Sequence, residues 1–192
     1  MKILQVAKNQ YVDEGLFCDA VSGGETTLKT RLSIAYTDTG LKVRFVSETG
    51  GKTVTPFEGE NVPVWYGDAV EFFLSPYGEE QWYFEMNVAP NGAFFNARIF
   101  NPDDKTAFSH AELFSNVTST VKIEKGIWTT ELNVPFSFVL KKGDEKRIEE
   151  LPWRFNAYRI DIAREEYAAF SPTGGGEANF HVPSKFAKMQ LI

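Results

Sequence analysis

Trp82-Tyr-Phe-Glu-Met-Asn-Val88, then Ala89-Pro-Asn-Gly-Ala93, then Phe94-Phe-Asn-Ala-Arg-Ile-Phe100 is the stretch that decides the fold. In the first run Trp82, Phe84, Met86 and Val88 alternate with Tyr83, Glu85 and Asn87, the two-residue period of a strand. Pro90-Asn-Gly92 breaks it, because Pro lacks an N–H and Gly tolerates the positive φ of a tight turn, and a second strand is expected from Ala93 to Phe100. Upstream, Ala69 to Leu74 reads as a strand joined to the first by a turn at Ser75-Pro-Tyr-Gly78, which makes a three-stranded meander.

The pattern spreads outward from there. Leu32 to Tyr36 and Leu41 to Phe45 alternate around Asp38-Thr-Gly40 as a hairpin, and Val117 to Ile123 and Ile127 to Val134 do so around Glu124-Lys-Gly126. Pro135 closes the last of these, since it cannot donate to a ladder. Trp153 to Ile160 is a further strand, and Ala178 to Ile192 forms a closing stretch. Residues 47 to 62 and 101 to 112 are rich in turn-forming and polar residues and read as loops, while residues 136 to 150 have room for one short helix. Nine or ten strands with little helical periodicity predict an all-β chain, an antiparallel β-sandwich of jelly-roll or immunoglobulin-like kind. With no repeat, linker or composition shift, residues 1 to 192 are expected to form one domain.

Composition narrows the function. The chain has 192 residues, 43% hydrophobic and 15% aromatic, with 17 Phe, more flat rings than an aliphatic core requires. The net charge of −6 carries no basic block, which excludes a nucleic-acid backbone as partner. The single cysteine, Cys18, excludes an intrachain disulfide and a multi-cysteine metal site. The opening residues lack the apolar core of a signal peptide and no apolar run is long enough to span a bilayer. A chain without a membrane partner, cytoplasmic or the mature part of a secreted protein, is the expectation.

Strand alternation separates two faces. One carries Val70, Phe72, Leu74, Trp82, Phe84, Met86, Val88, Trp153, Phe155 and Ala157, with Phe95, Ala97 and Ile99 assigned to it as well, and reads as core. The other carries Glu71, Tyr83, Glu85, Asn87, Asn156 and Tyr158, with Asn96, Arg98 and Arg154 assigned beside them. A polar sheet face is often merely the wet side of an antiparallel sheet. Here Trp65 and Tyr66 lie just before the Glu71 strand, and Tyr167 and Phe170 just after the Arg154 strand, so aromatic rings are expected to rim a polar floor. A pyranose lays C–H faces on rings and offers hydroxyls to amides, carboxylates and guanidinium groups, so this mixture suits sugar.

The run Val64 to Leu74, the run Trp82 to Ala93, Trp128-Thr-Thr-Glu-Leu-Asn-Val-Pro-Phe136, Trp153 to Arg159, Phe170-Ser-Pro172 and Asn179-Phe-His-Val-Pro183 together resemble carbohydrate-binding module family 9 and related DOMON-like sandwiches, in order over residues 60 to 192. The resemblance implies a non-catalytic antiparallel sandwich that holds the end of a mono- or oligosaccharide between two rings, and a glycan-degrading enzyme that carries it or works with it. Trp65 matches one ring of that clamp. Phe170 stands where such modules usually have tryptophan, and Asn96 where aspartate is common. Glu71 and Arg98 match polar contact positions, and Asn156 and Tyr158 are further candidates on the same predicted face. No cofactor is required; the resemblance admits a structural calcium ion, with Asp103 and Asp104 as loop acids.

Two other readings compete. Glu71 and Glu85 on adjacent strands have the spacing of a glycoside hydrolase's paired carboxylates, although neither is expected to lie in an apolar pocket that would raise its pKa. A haem-binding DOMON-type domain would use Met86 and His181, but Met86 falls on the predicted core face.

Overall fold

The computed structural model describes residues 3–12, 14–112 and 115–192. In chain order its strands are β1 (Ile3–Val6), β2 (Gly15–Leu16), β3 (Cys18–Asp19), β4 (Thr30–Tyr36), β5 (Gly40–Glu48), β6 (Ala69–Ser75), β7 (Trp82–Val88), β8 (Phe94–Phe100), β9 (Phe108–Ala111), β10 (Thr118–Glu124) and β11 (Ile127–Pro135). A one-turn helix α1 (Phe136–Val139) follows, then β12 (Arg154–Asp161), β13 (Glu166–Ala169) and β14 (Ala187–Leu191). Fourteen strands among the described residues exceed the nine or ten expected, because β1, β2, β3 and β9 are short edge pieces that show little alternation.

Two sheets pack face to face. The larger runs β1-β14-β12-β6-β7-β8-β9, with β13 and β3 continuing from β12; the smaller runs β10-β11-β5-β4-β2. The ladders are antiparallel except β1 against β14, which is parallel. Both predicted hairpins of the smaller sheet form, with Tyr36 opposite Leu41 and Glu124 opposite Ile127. Lys125 and Gly126 both have positive φ, the conformation a two-residue hairpin turn demands.

Between the sheets lies a core built from Val70, Phe72, Leu74, Met86, Val88 and Phe155 on one side and Ile34, Val43, Phe45, Trp128, Leu132 and Val134 on the other. The smaller sheet keeps a wet outer face, where Arg44 and Glu131 pair at 2.7 Å. The outer face of the larger sheet is covered instead. Phe73, Tyr83, Tyr158, Phe180 and Phe186 gather there in a second apolar cluster, closed over by the chain from 178 to 186.

That cover corrects the sequence assignment of β8. Val88 pairs with Phe94, Asn87 with Phe95 and Glu85 with Ala97, so Phe95, Ala97 and Ile99 lie on the Glu71 side. Asn96 and Arg98 lie opposite Met86 and Phe84, on the inter-sheet side. The predicted faces are inverted for this strand because Phe95, Ala97 and Ile99 are buried in the second apolar cluster, so apolar character no longer marks the inter-sheet side.

Candidate functional site

Glu71 stands in the middle of the larger sheet's outer face. Across the strands its row reads Tyr158, Glu71, Asn87, Phe95, and the next row reads Asn156, Phe73, Glu85, Ala97. The two glutamates are therefore diagonal neighbours on β6 and β7. Above them opens a cavity of about 340 Å3, within the range of small-molecule sites.

Its mouth is formed by loops. Trp65 sits in a single 3-10 turn, Val64–Tyr66, that leads into β6. The indole is 37% exposed and meets the ring of Phe95 edge-on at 4.9 Å between centroids. Asp68, nearly buried, holds this mouth in place: one carboxylate oxygen accepts from the Val54 N–H at 2.8 Å and the other from the Ile162 N–H at 2.9 Å. Gly67 makes the approach feasible, because a Cβ there would lie 2.6 Å from the carbonyl oxygen of Val54. The facing wall comes from Tyr167 on β13 and from Asn179, Phe180 and His181. Phe180 lies flat on Tyr158, with centroids 4.1 Å apart and planes 7° apart.

The floor is made of acceptors. Glu71 is 3% exposed and Glu85 6% exposed. The Glu85 carboxylate accepts one bond, from the Asn87 side-chain N–H at 2.7 Å. The Glu71 carboxyl has no hydrogen-bond partner among the described residues, and neither does the buried Oδ1 of Asn87. Burial pushes both acids upward, Glu85 to about 7, and the proximity of Glu85 raises Glu71 further. The expectation that neither acid lies in an apolar setting is thus corrected: Phe73, Tyr83 and Phe95 surround them.

His181 overlooks the pair. Its Nε2 is 4.0 Å from a Glu85 oxygen, its Nδ1 shares a 2.8 Å hydrogen bond with the Tyr83 hydroxyl, and burial depresses its pKa to about 4. It is neutral at physiological pH, so this contact is not an ion pair. Asn101 fixes the wall by donating to the His181 carbonyl at 2.9 Å.

The structure brings Trp65 and Glu71 together at this cavity. Asn156 and Tyr158 lie beneath it, fully buried, each with its polar atoms engaged: Asn156 donates to the Tyr158 hydroxyl and to the Ser171 carbonyl, and Tyr158 donates to the Phe180 carbonyl. They support the wall from below. Arg98 is placed elsewhere, on the inter-sheet side at the sheet's end, 3.7 Å from Glu112 and over the ring of Phe84. Phe170 is also placed elsewhere, against Phe155 at 5.0 Å and over Gly15, where a Cβ would come within 2.0 Å of its ring. That ring belongs to the inter-sheet core. The partners that residue patterns leave unassigned, Phe95, Asn179 and Phe180, come from the inverted strand and from a segment without strand periodicity.

Met86 and His181 lie on opposite sides of the larger sheet, Met86 in the inter-sheet core and His181 at the cavity, so they do not form a haem-ligating pair. Asp103 accepts from the N–H groups of Lys105 and Thr106, and Asp104 from that of Ser184. Among the described residues no three acids, histidines or cysteines converge as a metal site.

The fold has counterparts of known structure. A crystal structure of a suspected carbohydrate-binding protein from Bacteroides uniformis superposes over 100% of this chain and 98% of its own with a TM-score of 0.77, at 15% identity. A family 9 carbohydrate-binding module from Caldicellulosiruptor kristjanssonii, solved with cellotriose, matches over 99% of this chain and 93% of its own with a TM-score of 0.62, at 14% identity. A family 9 module from the same organism solved with glucose gives 0.60, over 100% of this chain and 96% of its own, at 14% identity. This chain has the fold of the family 9 carbohydrate-binding modules. The family 9 fold extends to the first 60 residues, where the sequence resemblance is faint. No family sequence profile matches the chain. A protein of Arthroderma benhamiae named "Extracellular protein" is 24% identical, over 85% of this chain and 79% of that protein. Among the described residues no helix is long and apolar enough to cross a membrane.

Proposed function

We propose that this chain binds the end of a carbohydrate in the cavity above Glu71 and does not transform it. The observation that carries this reading is the pairing of a part-exposed indole, Trp65, with a recessed carboxyl, Glu71, that opens onto the same cavity and has no hydrogen-bond partner among the described residues. A sugar ring lays its C–H face on the indole and its hydroxyls donate to the floor, with Tyr167 and Asn179 facing it from the other wall. The family 9 fold and the glucose and cellotriose complexes of modules that share it lend support. In this reading the second ring of the clamp is Tyr167 rather than Phe170, and the module serves a glycan-degrading enzyme by holding it at its substrate.

The raised proton affinities of Glu71 and Glu85 favour a second reading, glycoside hydrolysis. Against it, both carboxyls rise from adjacent strands of one floor and meet a ligand from the same side, whereas a glycosidase places its acids on either side of the scissile bond.

Calorimetry against mono- and disaccharides separates these outcomes. Wild type is expected to bind, and Trp65→Ala to lose at least about tenfold in affinity with its fold intact, since the indole is at the rim. Binding unchanged in Trp65→Ala, or no binding by any sugar, would sink the proposal. Reducing sugar released by wild type and not by Glu71→Gln would install the hydrolase in its place.

A further inference from the structure

The floor of the cavity is lopsided in its chemistry. Glu71 and the free oxygen of Glu85 open onto the cavity, and among the described residues neither carries a hydrogen bond from the protein, His181 Nε2 standing off Glu85 at 4.0 Å. Glu71 is also more than nine-tenths buried and opens onto the cavity. Among the described residues the titratable groups that face this pair are Tyr83 beside Glu85 on β7, Tyr158 on β12, Tyr167 on β13 and His181, and no Lys or Arg lines the cavity. Burial keeps the hydroxyls of Tyr83 and Tyr158 protonated and His181 uncharged. The Tyr83 hydroxyl is engaged with His181 and that of Tyr158 with Phe180. What the protein withholds from the floor is therefore a donor with positive charge.

A hydroxyl brings one donor to this floor, and its oxygen has to find a donor among the other lining side chains, Ser109, Tyr167 and Asn179. An ammonium brings three donors and no acceptor, and its charge is opposite to that of the pair. Trp65 and Tyr167 at the mouth add ring faces that attract a cation. A carboxylate would meet two buried acids and no counter-charge.

Resting on the carbohydrate-binding reading, we propose that the cavity selects a sugar end bearing an ammonium group, an amino sugar, over the same sugar with a hydroxyl, an acetamido or a carboxylate group in that place. Burial raises the proton affinity of both acids, so a proton carried by the pair passes to solvent as the ammonium enters, and amino-sugar binding is expected to release protons.

The experiment is calorimetry at near-neutral pH with four forms of one sugar in the gluco, galacto and manno series: hydroxyl, amine, N-acetyl and uronate. The amine of one series is expected to bind about tenfold or more tighter than its hydroxyl and N-acetyl forms, as a buried ion pair would give, and the uronate to bind most weakly. Glu71→Gln and Glu85→Gln, which are near-isosteric and remove an ionisable group from the floor, are expected to shrink the ratio of amine to hydroxyl affinity. Amine and hydroxyl forms bound equally well would overturn the ammonium preference and leave carbohydrate binding standing. A preference that survives in both variants overturns it also, and binding by no sugar of any series overturns both.

Discussion

Phe170 and Trp65 are both rings in loops at the ends of strands, and their surroundings give them different work. Trp65 projects from a 3-10 turn beside the exposed Tyr66 and touches Phe95 only edge-on, so part of the indole stays open to the cavity. Phe170 follows Ala168 and Ala169 on β13, and its backbone N–H donates to Ala157, which turns the ring down onto Phe155 and across Gly15. Removing it empties part of a packed interior. Phe170→Ala is expected to cost about 2 to 3 kcal/mol of unfolding free energy and to leave sugar affinity unchanged, read by urea denaturation beside calorimetry. A loss of affinity larger than the loss of stability would return Phe170 to the binding site.

At the scale of elements, the mouth of the cavity depends on how loops are tied to strands. Asp68, at the entry to β6, holds the 49–63 loop through Val54 and the turn after β12 through Ile162. Asp68→Asn keeps one acceptor oxygen and turns an N–H toward the other donor. It is expected to cost on the order of 1 to 3 kcal/mol and to weaken sugar binding through Trp65, visible as a lower melting temperature with a weaker Kd. Retained affinity with lowered stability would show that Trp65 holds its place without this tie. The strands themselves are readable from alternation: β6, β7, β12 and both hairpins of the smaller sheet fall where apolar and polar residues take turns. Alternation exchanges the faces of β8, since Phe-Phe at 94 and 95 gives neither face a prior claim and the five residues from 89 to 93 leave register to packing. Trp65 and Glu71 are legible at the cavity because they lie within one short stretch of chain. Phe180 and His181 are not legible as walls, because nothing local in Asn179-Phe-His shows which strand they fold back upon.

The whole molecule carries two buried acids in a fold whose net stability is of order 5 to 15 kcal/mol, so their ionisation bears on global stability. Glu85 has a folded pKa of about 7 against an ordinary 4.5, and Glu71 is raised in the same direction, chiefly by burial. The folded chain therefore holds protons that the unfolded chain has lost. Where the native state binds more protons, stability falls as pH rises: the contribution is fully present below about 4.5 and drains away up to the folded pKa values, at about 1.4 kcal/mol per pH unit for each acid. His181 works against this. Its folded pKa of about 4, below the ordinary 6.5, makes stability rise with pH across that interval, but 30% of its side chain stays open to the cavity, so its share is the smaller. The net slope follows the glutamates. Glu71→Gln is expected to match wild type at about pH 4.5 and to become the more stable of the two as pH rises, because the variant has one buried carboxyl fewer to ionise and relieves the other. Urea denaturation across that range reads the difference directly. A variant less stable than wild type at every pH would mean that the Glu71 carboxylate is held by a favourable partner in the fold, and the acceptor floor on which sugar selection depends would not exist.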